Sequence, residues 1–250
     1  MTTLLLGFRQ SEDNQALWRS AIKRGWDVER VRAFGGVREL DLEKLVDDDI
    51  AIYVEALWAP SVAKRLKRKL LETPNQWMEN LPYHLVQRDI YLTTLAEAIN
   101  YLDPVFIKPP NDKSFAARVY QPGTFPDIFD DYSMPVLVSN PVKFIDEFRC
   151  FCLDGKVLTM SPYLNNGVLS REYDWATSSN QDLNVTKFAE EVLATVETPR
   201  AIVIDVGMMR DVFGNEVWAV VEANAAWGSG IYGCDPDKVL DVVHAATEKI

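Results

Sequence analysis

The stretch "AIVIDVGMMRDVFGNEVWAVVEANAAWGSG", residues 201–230, decides how the chain is interpreted. Two apolar runs flank the turn "VFGN", which predicts a β-hairpin. Glu222 and Asn224 are two residues apart near the end of the second strand, so their side chains point to the same face. Asp205 lies on the first strand and can converge with them. The register across the long turn is open, and Asp211 falls on the same alternation as an alternative partner.

Two carboxylates and an amide oxygen form a hard, oxygen-rich set of ligands. This set suits Mg²⁺, which usually keeps several waters and shares substrate phosphates. Burying a carboxylate without a partner costs much free energy, so cationic side chains or a metal must compensate its charge. The cations at strand positions are Lys108, at the end of "VFIK", and Arg149, which shares one strand face with Glu147 in "IDEFRCF". Together these residues favour a polyphosphate site with a metal, in which Glu147 orients Arg149.

The pattern of apolar residues predicts two regions of different design. Residues 1–80 alternate strand, helix and strand, with a buried strand over Ile50–Val54 and a helix over "APSVAKRLKRKLLE", which favours a small parallel α/β lobe. Residues 81–250 are predicted to combine antiparallel strands with helices, an α+β design. The strands predicted there are "KSFAARVY" and a pair within residues 134–164 that is joined at Asp154-Gly155. A helix is predicted over "TTLAEAINYL" and a mobile loop over residues 165–181.

Composition excludes several classes of function. The net charge of −11 and the pI near 4.7 argue against a broad nucleic-acid interface. The sequence has no run of 18 apolar residues, so we expect no membrane span. The start "MTTLLLGFRQ" is expected to be a buried strand and not a signal peptide. Three cysteines fit a reducing cytoplasm, and Cys150 and Cys152 are expected to be core thiols without a metal.

The order of the motifs resembles the ATP-grasp superfamily over roughly residues 81–233. A lysine strand, "FIKP", comes first and is followed by the short hinge "PVLVSN". A strand with an arginine, "EFRCF", leads through a turn to "GKVL", and "IDVG" and "EANAAWGSG" come last. Within the superfamily the chain looks most like a clade named for two arginines and a lysine. The segments that match this clade are "QRDIYLTTLAEA", "FIKPPNDKSFAARVY", "EFRCF" and "SPYL".

The resemblance implies a fold, an activity and cofactors. Residues 1–80 would form a lobe that precedes the ATP-grasp region, whose two subdomains would be residues 81–140 and 141–250. The implied activity is an ADP-forming carboxylate–amine ligase, in which ATP phosphorylates a carboxylate and an amine attacks the acyl phosphate. ATP and Mg²⁺ would be the cofactors. The substrates would be small-molecule or peptide carboxylates and amines.

The resemblance also implies roles for individual residues. Lys108 would bind the α- and β-phosphates, and Arg149 would steady the γ-phosphate or the acyl-phosphate transition state. Three side chains would hold Mg²⁺: Asp205, Glu222 and Asn224. Five residues would pair their backbone with adenine between the lobes: Val136, Leu137, Val138, Ser139 and Asn140. This hinge departs from the family pattern, which has an acid and an aromatic residue.

Two further cations receive roles from the clade's pattern. Arg88 would grip a substrate carboxylate, although it can also tie "DIYL" to the second lobe. Lys113 would act in a phosphate-covering flap, although the family's glycine-rich flap is missing around residues 109–114. Tyr163 either lines the substrate pocket or only packs there. An ATP-grasp kinase and an inactive nucleotide-binding protein stay as alternative functions, and the sequence leaves the oligomeric state open.

Overall fold

The structure is a computed structural model that describes residues 2–31, 42–124 and 131–250. Within these ranges, every helix is too short or too polar to cross a bilayer. The fold combines a parallel α/β region with antiparallel sheets and helices, which confirms the predicted class.

The N-terminal region is a parallel sheet of three strands in the order β2-β1-β3. The strands are β1 (Thr2–Leu6), β2 (Asp27–Arg30) and β3 (Asp49–Tyr53). Helix α1 (Glu12–Lys23) begins where the side chain of Ser11 accepts a hydrogen bond from the backbone of Asn14. The apolar strands and the apolar face of α1 bury their side chains together.

The helix predicted over residues 59–72 is wrong in its second half. Helix α2 (Ala59–Arg65) ends after seven residues, and strand β4 (Arg68–Leu70) follows it. Strand β4 pairs with β14 (Thr247–Lys249). The buried Arg68 donates a hydrogen bond to the carbonyl of Asp48 at 2.8 Å. Pairing with a distant strand therefore overrides the local helical pattern of "KRLKRKLLE".

The last helix, α6 (Pro236–His244), packs against the N-terminal region. Its apolar side chains belong to the same core as Leu5 of β1, Ile52 of β3 and Leu17 of α1. The side chain of Arg24 donates to both Asp237 and Asp241 of α6. The first and last segments of the chain thus share one core, and a boundary at residue 80 stays a proposal.

The second sheet has four antiparallel strands in the order β5-β8-β6-β7. The strands are β5 (Ile90–Thr94), β6 (Val105–Lys108), β7 (Arg118–Tyr120) and β8 (Pro135–Ser139). Two short helices, α3 (Tyr83–Val86) and α4 (Leu95–Ala98), flank β5. The strand predicted for "KSFAARVY" covers only the last three of these residues. The helix predicted for "TTLAEAINYL" covers only four residues, and it starts late because Thr93 and Thr94 pair with β8.

The third sheet has five strands in the order β11-β10-β9-β12-β13, which are all antiparallel. The strands are β9 (Phe144–Leu153), β10 (Lys156–Asn165), β11 (Val168–Leu169), β12 (Ala201–Arg210) and β13 (Glu216–Asn224). Helix α5 (Ser179–Thr195) covers this sheet. The hairpins predicted at Asp154-Gly155 and around "VFGN" are confirmed. Residues 134–164 form three strands and not the two predicted, since β8 is a separate strand that belongs to the four-stranded sheet.

Candidate active site

Three charged side chains form a row across three adjacent strands. Arg149 of β9 lies directly opposite Asp205 of β12, and Asp205 lies directly opposite Glu222 of β13. Residues that face each other on neighbouring strands point to the same side of the sheet. The register that the sequence left open therefore places Asp205, and not a later residue, beside Glu222.

Arg149 and Asp205 form a buried two-point ion pair. The distances are 2.9 Å from Nε to Oδ1 and 2.6 Å from Nη2 to Oδ2, and the side chains are 7% and 1% exposed. Nη1 donates to the carbonyl of Gly230 at 3.1 Å. Burial acts to lower the pKa of the guanidinium, but the charge and hydrogen bonds of Asp205 outweigh it and raise that pKa. Arg149 is thus a fixed positive charge with a set orientation.

Two tyrosine rings enclose the Arg149 guanidinium. Its carbon lies 5.3 Å from the centroid of the Tyr163 ring and 4.8 Å from that of the Tyr232 ring. These distances are typical of cation–π contacts. Tyr163 therefore contacts the cation directly, and so does Tyr232, which the sequence analysis missed.

Lys108 reaches the same place from the facing sheet. Its Nζ lies 2.5 Å from Oε2 of Glu222, whose side chain is 31% exposed. Asn224 donates to Oε1 of Glu222 at 3.0 Å, which confirms that the two residues share a face. Burial acts to raise the pKa of the Glu222 carboxyl, but Lys108, Asn224 and Arg149 outweigh it and lower that pKa to about 2. The carboxylate is therefore ionised across the physiological range.

The donor set at Glu222 fits a divalent cation that shares its ligands with phosphates. The amide nitrogen of Asn224 lies within 3.5 Å of a carboxylate oxygen of both Asp205 and Glu222, so three oxygen-bearing side chains converge. Rotation of the Asn224 amide by half a turn presents its oxygen at the same point. Within the described ranges no group of three or more His, Cys, Asp or Glu residues is placed to bind a metal. Two carboxylates with an amide match the sparse protein ligation of Mg²⁺, which relies on phosphates and water for its other ligands.

Arg88 supports the strand that carries Glu222. It is 8% exposed, and it donates to the carbonyls of Val86 at 2.9 Å, Val220 at 2.8 Å and Val221 at 3.1 Å. Strand β13 has an irregular register beside Glu222, where Val221 is left without an opposite residue on β12. Such bulges often re-aim a side chain next to a functional site. The observed contacts match the prediction that Arg88 ties its segment to the second lobe, and its role toward a substrate stays a proposal.

Asp211 and Lys113 lie away from this cluster. Asp211 follows the end of β12 and accepts hydrogen bonds from Phe213 and Asn215, so it organises the hairpin turn. It is six residues along the strand from Asp205, roughly 20 Å at the rise of a β-strand. The geometry therefore favours Asp205 over Asp211 as the partner of Glu222, and the role of Asp205 as a metal ligand stays a proposal. Lys113 is exposed in the loop between β6 and β7, and its role in a flap stays a proposal.

The predicted backbone contacts to adenine conflict with the pairing of β8. Leu137, Val138 and Ser139 pair with β5 on one side and with β6 on the other, and the backbone N–H of Asn140 donates to the carbonyl of Asp89 at 3.3 Å. Residues Val136–Ser139 are also buried. Because β8 is an inner strand of its sheet, its backbone groups are already used there. An adenine contact through these backbone groups stays a proposal, and it would require some of this pairing to open.

A small cavity lies between the two sheets beside Lys108. Its volume is about 10 Å³, and its wall includes Leu137, Ala223, Thr73 and Trp77. The Thr73 hydroxyl and the Trp77 indole nitrogen are buried without a hydrogen-bond partner among the described residues. Buried polar groups of this kind are uncommon and point to a ligand or water. The segment 73–77 is a functional candidate that the sequence analysis missed, since it has no local motif.

Glu147 does not orient Arg149, contrary to the sequence-based prediction. The guanidinium donors go to Asp205 and Gly230 instead. Glu147 lies two residues along β9, opposite the glycine at position 207. Burial, followed by the charges of Asp205 and Glu222, raises the pKa of the Glu147 carboxyl to about 7. This carboxyl therefore titrates near neutral pH beside the ion-pair row.

Comparisons with known proteins identify the fold and the family. The family model that matches describes an ATP-grasp domain, the second family of the clade named for two arginines and a lysine. It matches residues 85–242, more than half of the chain. A comparison with curated protein sequences found no match.

Solved structures of similar shape include three ATP-grasp or synthetase proteins. D-cycloserine synthetase DcsG has 12% sequence identity and a TM-score of 0.56, with 98% of this chain and 99% of that chain covered. The ATP-grasp ligase PsnB, complexed with a phosphomimetic variant of its minimal precursor, Mg and ADP, has 13% identity, a TM-score of 0.51, and coverage of 98% and 96%. A RimK domain ATP-grasp protein from Sphaerobacter thermophilus has 14% identity, a TM-score of 0.50, and coverage of 97% and 99%. The chain belongs to the ATP-grasp superfamily, in the second family of the clade named for two arginines and a lysine.

Proposed function

We propose that this protein is an ATP-dependent carboxylate–amine ligase that releases ADP. One observation carries the proposal: Lys108 of one sheet and the row of Arg149, Asp205 and Glu222 on the facing sheet meet at a single point. Phosphoryl transfer needs positioned cations more than a protein nucleophile, and this point supplies two cations. The family membership supports the same reading, and so do the ligase names of the similar structures.

The proposed roles follow from how each cation is held. Lys108 is a point charge on a flexible stem, so it can leave Glu222 for the α- and β-phosphates of ATP. Arg149 is fixed by Asp205 and two tyrosines, so its outer N–H groups are set to meet the transferred phosphoryl group. Asp205, Glu222 and Asn224 would hold Mg²⁺, which would neutralise phosphate charge when bound. The two sheets would have to separate around the 10 Å³ cavity to admit the nucleotide.

The reaction would proceed in two balanced steps. The substrate carboxylate attacks the γ-phosphorus of ATP, and ADP leaves as the acyl phosphate forms. The amine nitrogen then attacks the acyl carbon, the bond to the phosphate oxygen breaks, and the proton lost from nitrogen leaves with the phosphate. Throughout, Arg149 and Lys108 would stabilise charge on the phosphoryl oxygens.

Nucleotide binding and product analysis test the proposal. Calorimetric titration with ATP, with and without Mg²⁺, is expected to show binding that depends on the metal. ADP release in multiple turnovers is expected only when both an acid and an amine are present. ADP release with an acid or alcohol alone would indicate a kinase instead, and no binding at millimolar ATP would reject the nucleotide site.

A further inference from the structure

A second cavity lies close to Arg149. Its volume is about 390 Å³, and it lies between the start of α1, the segment 169–175 and the loop after β13. It borders Arg149 closely, because Tyr232 lines the cavity and also holds the guanidinium at 4.8 Å. The wall residue Ile231 follows Gly230, whose carbonyl accepts from Arg149. A molecule in this cavity would lie next to the proposed site of phosphoryl transfer.

The side chains that line the cavity carry a net negative charge. The lining residues include two carboxylates, those of Glu12 and Asp13, and one guanidinium, that of Arg171, a formal charge of −1. The guanidinium of Arg171 is already paired with Glu12 at the wall. Asp13 accepts a hydrogen bond from the backbone of Ile231 at 3.1 Å, and burial raises the pKa of its carboxyl. The cavity therefore favours a cation and disfavours an anion.

Aromatic rings complete the cavity wall. Trp175 and Tyr232 both line it, and their ring centroids are 6.2 Å apart. Aromatic faces attract ammonium and guanidinium groups, and the Tyr232 ring already holds one cation, Arg149. Aromatic rings beside carboxylates are the combination that recognises amines.

The backbone around the rings is strained. Asp174, Trp175 and Tyr232 have φ values of +54°, +56° and +42°, in the left-handed region that residues with side chains seldom adopt. Gly233 has φ of +83°, and an added Cβ would lie 2.3 Å from Cγ of Trp175. Backbone strain of this kind clusters at ligand-binding sites. The surrounding fold holds the two rings in place at the cavity.

We infer that this cavity binds the amine substrate through a second cationic nitrogen, so that the substrate class is a diamine or another amine with a basic group. This inference rests on the proposed ligase function. An ammonium beside Asp13 and Trp175 stays protonated and cannot be the nucleophile, because attack needs a free lone pair on nitrogen. A second nitrogen of the same molecule would extend past Tyr232 toward Arg149, where the acyl phosphate would form.

The test is a titration followed by NMR of the uniformly ¹⁵N-labelled protein. The probe is 1,4-diaminobutane, and the controls of similar length are 1,4-butanediol and succinate. Each is added to the protein alone and to the protein with Mg²⁺ and a non-hydrolysable ATP analogue. We expect saturable shifts of the Trp175 indole and Gly233 amide signals with the diamine and none with the controls.

Matched variants decide whether the carboxylate recognises the cation. Asp13→Asn keeps an oxygen that can accept from Ile231, and it is expected to weaken diamine binding at least tenfold. Glu12→Gln, on the exposed rim, is expected to weaken binding to a smaller extent, and the remote exposed Asp103→Asn is expected to leave it unchanged. Three outcomes would overturn the inference. The diol or succinate could bind as well as the diamine, or the diamine could bind Asp13→Asn and Glu12→Gln as tightly as the wild type. The third is that the diamine binds in neither sample.

Failure of this inference can be told apart from failure of the proposed function. ATP is titrated into the same samples with Mg²⁺ and no diamine, which reports the nucleotide site alone. Diamine shifts that vanish in Asp13→Asn while ATP binding persists support the cavity. ATP binding without diamine shifts overturns the cavity and leaves the ligase proposal standing.

Discussion

The Arg149 guanidinium and the Asp205 carboxylate meet in parallel, at 2.9 Å and 2.6 Å, in the middle of the five-stranded sheet. Both are almost fully buried, so each is the other's main compensation for lost hydration. The pair therefore stabilises the fold and is also a candidate part of the catalytic site. Substitution of either residue alone disturbs both roles.

A double variant separates these two roles. Arg149→Ala leaves Asp205 as an unpaired buried charge, and we expect it to lower the free energy of unfolding by about 3–5 kcal/mol. Arg149→Met with Asp205→Leu removes both charges and is expected to recover much of that stability, as measured by urea unfolding. Single-turnover ADP formation at saturating ATP should stay at least about 100-fold below the wild-type rate. Recovered ADP formation in the double variant would show that Arg149 acts only in the fold.

Lys108 is expected to act on nucleotide binding more than on rate. It pairs with the partly exposed Glu222, so Lys108→Ala costs less stability than Arg149→Ala. A point charge on the phosphates acts in the ground state and in the transition state alike. Steady-state kinetics should therefore show a raised KM for ATP with a smaller change in kcat. The exposed Lys187→Ala on helix α5 provides the control, and a fall in kcat alone for Lys108→Ala would contradict the assignment.

Glu222→Gln should abolish turnover while the protein stays folded. Gln keeps an acceptor for Lys108 but loses the charge that would bind Mg²⁺. The wild-type pKa of about 2, against an ordinary value of 4.5, means that this carboxylate stabilises the fold above about pH 4.5. That stability is lost as pH falls toward 2. In Glu222→Gln, this contribution to the pH dependence of the free energy of unfolding should be absent. Thermal unfolding from pH 2 to 7 measures it, and a parallel loss of fold and turnover at pH 7 would indicate a structural role.

Glu147 should make the wild-type protein less stable as pH rises toward neutrality. Its folded-state pKa of about 7 exceeds the ordinary 4.5, so the folded protein holds a proton that the unfolded chain has lost. Stability therefore falls between about pH 4.5 and 7, by on the order of 2 kcal/mol. Glu147→Gln should remove this fall in urea unfolding, whereas exposed Glu172→Gln should follow the wild type. An unchanged pH slope in Glu147→Gln would refute the assignment.

Arg88→Lys tests whether the bulge before Glu222 is held by a planar guanidinium. A lysine ammonium cannot reach three carbonyls in the same fork, so we expect a loss of about 1–3 kcal/mol of stability. If Arg88 only positions Glu222, ADP formation should fall while the KM for the acid substrate changes little. A raised KM for the acid, with unchanged stability, would instead support the predicted grip on a substrate carboxylate.

The sequence by itself determined the hairpins, the shared face of Glu222 and Asn224, and the order of cation and carboxylate strands. These features depend on neighbours in the chain: alternation along a strand, turn residues between strands, and the cost of burying charge. The same local rules identified Lys108 and Arg149 as strand cations, and both lie near Glu222 at the candidate site.

Only the tertiary structure decided which charges pair and where the ends of the chain lie. Strand register places Asp205, and not Asp211, beside Glu222. Arg149 forms its ion pair with Asp205 and not with Glu147, because pairing across strands is non-local. The strand β4 replaced half of a predicted helix since its partner β14 is almost 180 residues away. Asp13, Trp175 and Tyr232 meet at one cavity from three distant segments, and no local pattern could bring them together, because their proximity depends on how the N-terminal region packs against the last sheet.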